Sequence, residues 1–134
     1  MRLQLALNVE NIDESTEYYS KLFNIRPHKI RPGYANFAIE SPPLKLVLFE
    51  NPGASERINH LGVELGEDEE LENISDRLER DGLADLSEQA TTCCFAKQDK
   101  IWSTEPQGLR WEWYKILDDN PQQIQSTKAS TCCA

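Results

Sequence analysis

The chain has 134 residues, 39% of them hydrophobic and three of them tryptophan, enough for one packed domain or two small modules sharing a core. Its 23 acidic residues outnumber 14 basic ones for a net charge of −9, so no basic stripe remains for nucleic acid or an anionic membrane. No apolar run approaches the roughly eighteen residues of a membrane span, and Met1 is followed by Arg2 and a strand-like stretch rather than a signal peptide. Four cysteines without framework spacing fit a reducing cytoplasm, where thiols stay available.

Residues 3–9 (LQLALNV) alternate as a strand and end before Asn11-Ile12-Asp13-Glu14, where Asn11 or Asp13 can cap a helix. That helix is predicted to run to Asn24, with Tyr18, Tyr19, Leu22 and Phe23 clustering at helical spacing. Strands follow at 26–31, 34–40 and 44–50, with Pro32-Gly33 and Pro42-Pro43 as turns. The linker 51–55 (NPGAS) then leads into a second pass through the same order. It comprises a strand at 58–65, an acidic helix at 69–81 with Leu71, Ile74 and Leu78 inward, and strands at 84–90, 93–98, 101–104 and 110–117. Gly82 closes the helix, Gln98 and Asp99 begin a turn, and Pro106-Gln107-Gly108 makes the last one. Residues 118–134 are polar, rich in Gln, Ser and Thr, and read as a flexible cysteine-containing tail.

The second pass is a repeat of the first. Residues 4–9 lie over 60–65, and the same offset places Leu22 over Leu78. Residues 44–47 lie over 109–112 at a longer offset, so the second copy has gained chain around Cys93-Cys94. The expected fold is therefore α+β, two βαβββ modules (about 1–50 and 58–117) forming a cupped, incomplete mixed β-barrel in a single domain spanning 1–117.

Equivalent strand positions of two such modules converge on a pseudo-two-fold axis. The alignment makes Gln4 and His60 one such pair; Glu112 is a third donor, and its counterpart Val47 is apolar. One imidazole, one carboxylate and one amide oxygen suit a borderline-to-hard divalent ion with open positions, such as Fe(II) or Mn(II). His28, beside Pro27 in an unmatched strand, belongs to the surface. Separately, Cys93-Cys94 are too close for a CxxC redox site, and bridging them strains the ring. Two adjacent thiolates suit one thiophilic atom, trivalent arsenic or cadmium; small apolar cysteines filling a strand is the plainer alternative. Lys97 or Lys100 could promote thiol deprotonation, or simply be solvated loop charges. Cys132-Cys133 repeat the vicinal arrangement in the tail.

These stretches resemble the vicinal oxygen chelate superfamily of glyoxalases, bleomycin-resistance proteins and extradiol dioxygenases. Within it, the chain is most similar to organoarsenical carbon–arsenic lyases and cadmium-induced proteins. The resemblance covers residues 3–117. It rests on QLALNV (4–9), YYSKLF (18–23), RPGYANFAI (31–39), PPLKLVL (42–48), NHLGVE (59–64), TTCCFAKQDKIW (91–102) and RWEWY (110–114). NHLGVE is common across the superfamily; RPGYANFAI and TTCCFAKQDKIW are specific to the narrower group. The resemblance implies a cytoplasmic arsenic-detoxifying enzyme that uses Fe(II) as cofactor and O2 as co-substrate. It would cleave the carbon–arsenic bond of a trivalent organoarsenical, methylarsenite or an aromatic one, and release arsenite. It also implies Gln4, His60 and Glu112 as metal ligands and Cys93 and Cys94 as the arsenic-binding pair, in a monomer or homodimer. Two alternatives remain open: a cadmium- or arsenic-binding resistance protein without turnover, and another metal-dependent glyoxalase-like enzyme.

Overall fold

The computed structural model describes residues 1–93 and 95–121, the side chain of Cys93 excepted. Cys94, Cys132-Cys133 and the tail beyond residue 121 lie outside the described residues. The elements are β1 (Arg2–Val9), α1 (Ile12–Phe23), β2 (Lys29–Arg31), β3 (Tyr34–Ile39) and β4 (Leu44–Glu50). They are followed by β5 (Ile58–Glu64), α2 (Leu71–Arg80), β6 (Leu86–Cys93), β7 (Ala96–Thr104) and β8 (Arg110–Asp118). The fold is α+β, and the βαβββ order occurs twice, as the repeat predicts. Among the described residues no helix is long and apolar enough to cross a membrane.

The chain divides into two compact units, Arg2–Leu61 and the part from Gly62 onward with Met1. The division falls inside β5 rather than in the preceding linker. Asn8 explains this, since its backbone N–H donates to the Arg57 carbonyl at 2.7 Å and ties the approach to β5 onto β1.

In the first unit the strand order is β2-β3-β4-β1, with β1 parallel to β4 and the other pairs antiparallel. Of the two candidate caps, Asn11 is used: its side chain accepts the Glu14 N–H at 2.9 Å. Asn24 ends α1 at φ 50°, a left-handed conformation that Asn tolerates. The helix presents Ile12, Tyr19 and Phe23 to a core of Val9, Phe37, Ile39, Leu46 and Leu48. Tyr18 and Leu22, expected in the same cluster, are exposed instead, because a second i,i+4 pair one residue back points away from the sheet.

In the second unit β8, β7 and β6 run antiparallel in that order. Leu78 is buried from α2, with Leu71 and Ile74 partly so. One expectation needs correction here: the strands placed at 93–98 and 101–104 are a single strand, β7. Gln98 and Asp99 read as the start of a turn, yet Gln98 and the following Lys100 are buried. Asp99 Oδ1 accepts the Ala90 N–H at 2.6 Å, across a bulge between Glu88 and Thr91. Ala90 adopts φ 48° at that bulge. The gained chain lengthens this hairpin: β6 and β7 have 8 and 9 residues where their counterparts β2 and β3 have 3 and 6. At the hairpin tip, Cys93 pairs with Ala96 and Phe95 takes φ 65°.

Candidate metal centre

The first unit has two unlike sheet faces. Alternation sends the apolar core residues toward α1 and leaves Gln4, Asn8, Asn36, Lys45 and Val47 on the opposite face. All five are buried. His60 joins this face, its ring 6.3 Å from that of Phe49, the register partner of Asn8. The structure therefore puts Gln4 and His60 on one buried, polar face.

Gln4 is 7% exposed, and its Oε1 has no hydrogen-bond partner. A buried amide oxygen left unpaired costs about 1–3 kcal/mol, so an electrophilic partner there would be stabilising. His60, 1% exposed, is oriented by a chain of amides. The Glu56 carbonyl can only accept, so the 3.0 Å contact makes Asn8 Nδ2 the donor and turns Asn8 Oδ1 toward its neighbours. Asn59 Nδ2 and Asn51 Nδ2 both donate to that oxygen, at 3.0 and 3.3 Å. Asn59 Oδ1 is thus an acceptor, 2.8 Å from His60 Nδ1, which must carry the ring proton. The imidazole lone pair is then on Nε2.

Glu112 lies on β8 in the second unit and is 3% exposed. Its Oε2 accepts from Lys100 Nζ at 3.0 Å. Lys100 is therefore not a solvated loop charge beside the thiols, because β7 continues through it and alternation turns it inward next to β8. Trp102, the register partner of Glu112, lies between two cations. Arg110 is 4.7 Å and Lys100 5.6 Å from the ring centre, and the indole N–H donates to Glu88 at 3.3 Å.

An unpartnered amide oxygen, an imidazole with its proton fixed on the far nitrogen and a buried carboxylate fit a divalent metal of N/O preference. Among the described residues no three of His, Cys, Asp and Glu cluster as a metal group; the expected set takes one of its donors from an amide. His28 is exposed, as expected. Val47 is 2% exposed and adds no donor. Of the two cysteines expected to bind arsenic, Cys93 closes β6 and Cys94 is outside the described residues. The orienting residues Asn8 and Asn59 escaped sequence reasoning, and Lys100, expected near the thiols, is instead buried against Glu112. The one available signal was strand parity, which Asn8 shares with Gln4, and Lys100 with Trp102, the register partner of Glu112; Asn59, adjacent to His60 on β5, carried none.

The sequence model of the family described as Glyoxalase/Bleomycin resistance protein/Dioxygenase superfamily matches residues 3–113. The cadmium-induced protein CadI of Mycobacterium tuberculosis is 49% identical over 140 residues, covering 98% of this chain and 92% of that one. A trivalent organoarsenical cleaving enzyme of Thermomonospora curvata is 47% identical over 133 residues, covering 98% and 87%. Among solved structures, the Mn(II)-bound glyoxalase from Novosphingobium aromaticivorans shares the fold. Its TM-score is 0.63 at 16% identity, over 92% of this chain and 41% of that one.

Proposed function

Because this chain belongs to the glyoxalase/bleomycin resistance protein/dioxygenase superfamily, we propose that it is a metal-dependent enzyme cleaving the carbon–arsenic bond of trivalent organoarsenicals. The observation that carries this reading is the buried, unpartnered Gln4 amide oxygen on the same sheet face as an oriented His60, in a chain 47% identical to an organoarsenical cleaving enzyme. Gln4 Oε1, His60 Nε2 and the Glu112 carboxylate would hold the metal. Ferrous iron bound there would supply dioxygen activation.

The chain's own part is capture and orientation. Cys93 and Cys94 as thiolates would displace the two hydroxyl groups of RAs(OH)2 as hydroxide, forming two As–S bonds with arsenic still trivalent and giving its single carbon substituent a fixed direction. Holding that substituent in place turns a bimolecular encounter into an effectively unimolecular step. Burial of all three metal donors keeps bulk water from competing with the substrate.

The test is incubation of the Fe(II)-loaded protein with methylarsenite, in air and under nitrogen, with arsenite scored by speciation. Release in air alone supports the reading; no release in air contradicts it. The 49% identity to a cadmium-induced protein favours a second reading, sequestration of a thiophilic ion without turnover. In that case methylarsenite is bound equally under both atmospheres and recovered unchanged.

A further inference from the structure

Lys100 and Glu112 are 2% and 3% exposed, and the ammonium stands 3.0 Å from Glu112 Oε2. An ammonium has three N–H donors. Glu112 is the one hydrogen-bond acceptor that the described residues give the Lys100 ammonium, which also lies 5.6 Å from the centre of the Trp102 ring. A buried ion pair of this kind adds little stability, since apolar residues of the same volume commonly do as well or better. Removing one partner alone, however, strands the other charge. The pair therefore calls for a role in which one partner is sometimes released.

We propose that Lys100 is a placeholder cation, which neutralises and aims the Glu112 carboxylate in the metal-free protein and yields it when a divalent ion binds. This rests on the reading of Glu112 as a metal ligand. A buried carboxylate needs compensation in the metal-free protein, and Lys100 at 3.0 Å contributes a full positive charge to it. With metal, the ammonium and the ion repel across a poorly solvated gap, so Lys100 weakens the binding of a bare dication. Its N–H donors, released from Glu112, then favour one anionic ligand admitted together with the metal.

Opposite effects follow for the two states, which a packing role would not produce. In chelator, Lys100→Met should melt well below the wild type. In Mn(II), its gain in melting temperature should exceed that of the wild type, and its Mn(II) affinity should rise on the order of tenfold. The double variant Lys100→Met/Glu112→Gln removes both charges and should recover most of the lost melting temperature without gaining Mn(II) affinity. It keeps the test decisive if Lys100→Met alone fails to fold in chelator. Azide should tighten Mn(II) binding to the wild type and have no effect on Lys100→Met. Equal melting losses with and without Mn(II), or equal azide effects in both proteins, would overturn the proposal. Unchanged Mn(II) affinity in Glu112→Gln would instead overturn the ligand assignment, and the proposal with it.

Discussion

At the residue scale, the orientation of His60 begins at the Glu56 carbonyl and passes through Asn8 and Asn59 to the ring. Amides replace the carboxylate that often stands behind a metal-binding histidine, so the imidazole is oriented without added charge. Removing the amide nearest the ring, in Asn59→Ala, should weaken Mn(II) binding by roughly 10–100-fold with the fold intact. Asn59→Asp, which keeps an acceptor for Nδ1, should lose less. A Mn(II) titration decides this, and unaltered affinity in Asn59→Ala would show that the ring needs no such support. Asn8→Ala removes a buried side chain that bonds the Glu56 carbonyl and leaves the amides of half-buried Asn59 and exposed Asn51 without their acceptor. It should lower stability by about 1–3 kcal/mol; a urea midpoint equal to that of the wild type would refute the chain.

At the element scale, the β6–β7 hairpin stores strain that its sequence does not advertise. Ala90 sits at φ 48°, a region costing an L-residue roughly 1–2 kcal/mol, and Asp99 holds its N–H. Ala90→Gly should therefore stabilise the protein by about 0.5–1 kcal/mol, the relief being partly offset by glycine's entropy. A fall in melting temperature would mean that the methyl packs. Glu69, just ahead of α2, accepts the Gly66 N–H at 2.6 Å. That bond holds its carboxyl below the usual value of 4.5, against partial desolvation. Its contribution is therefore fully present above about pH 4.5 and is lost as pH falls through the lower folded value. Glu69→Gln should narrow its gap from the wild type as melts are taken below that pH; a constant gap would contradict this.

The same two elements show what could be read in advance. Flanking turn residues placed β3, β4, β5 and β8 nearly to their ends, and β1 adds a clean alternation of an apolar row, Leu3, Leu5, Leu7 and Val9, with a mainly polar one. Internal repetition singled out Gln4, His60 and Glu112, and all three are buried. It failed at β7, where Gln98 and Lys100 are buried polar residues whose partners come from other strands. A run of polar letters looks like a turn until those partners are known. Lys100 was misread as a charge beside the thiols for that reason, and Asn8, whose partners lie more than forty residues away, went unread.

At the scale of the whole molecule, an acidic chain of two βαβββ modules buries nitrogen and oxygen donors on its strands and carries its vicinal thiols where the second copy is longer. Mn(II) at a hundred times its dissociation constant should raise the unfolding free energy by about 2.7 kcal/mol, and by much less in His60→Ala. Equal stabilisation of both proteins would place the ion elsewhere. The division of labour, metal on Gln4, His60 and Glu112 and arsenic on Cys93 and Cys94, is the central claim. Iron-edge X-ray absorption of the Fe(II)-loaded protein tests it most directly. The account predicts a shell of nitrogen and oxygen alone, including one imidazole, whereas a sulfur shell on iron would contradict it.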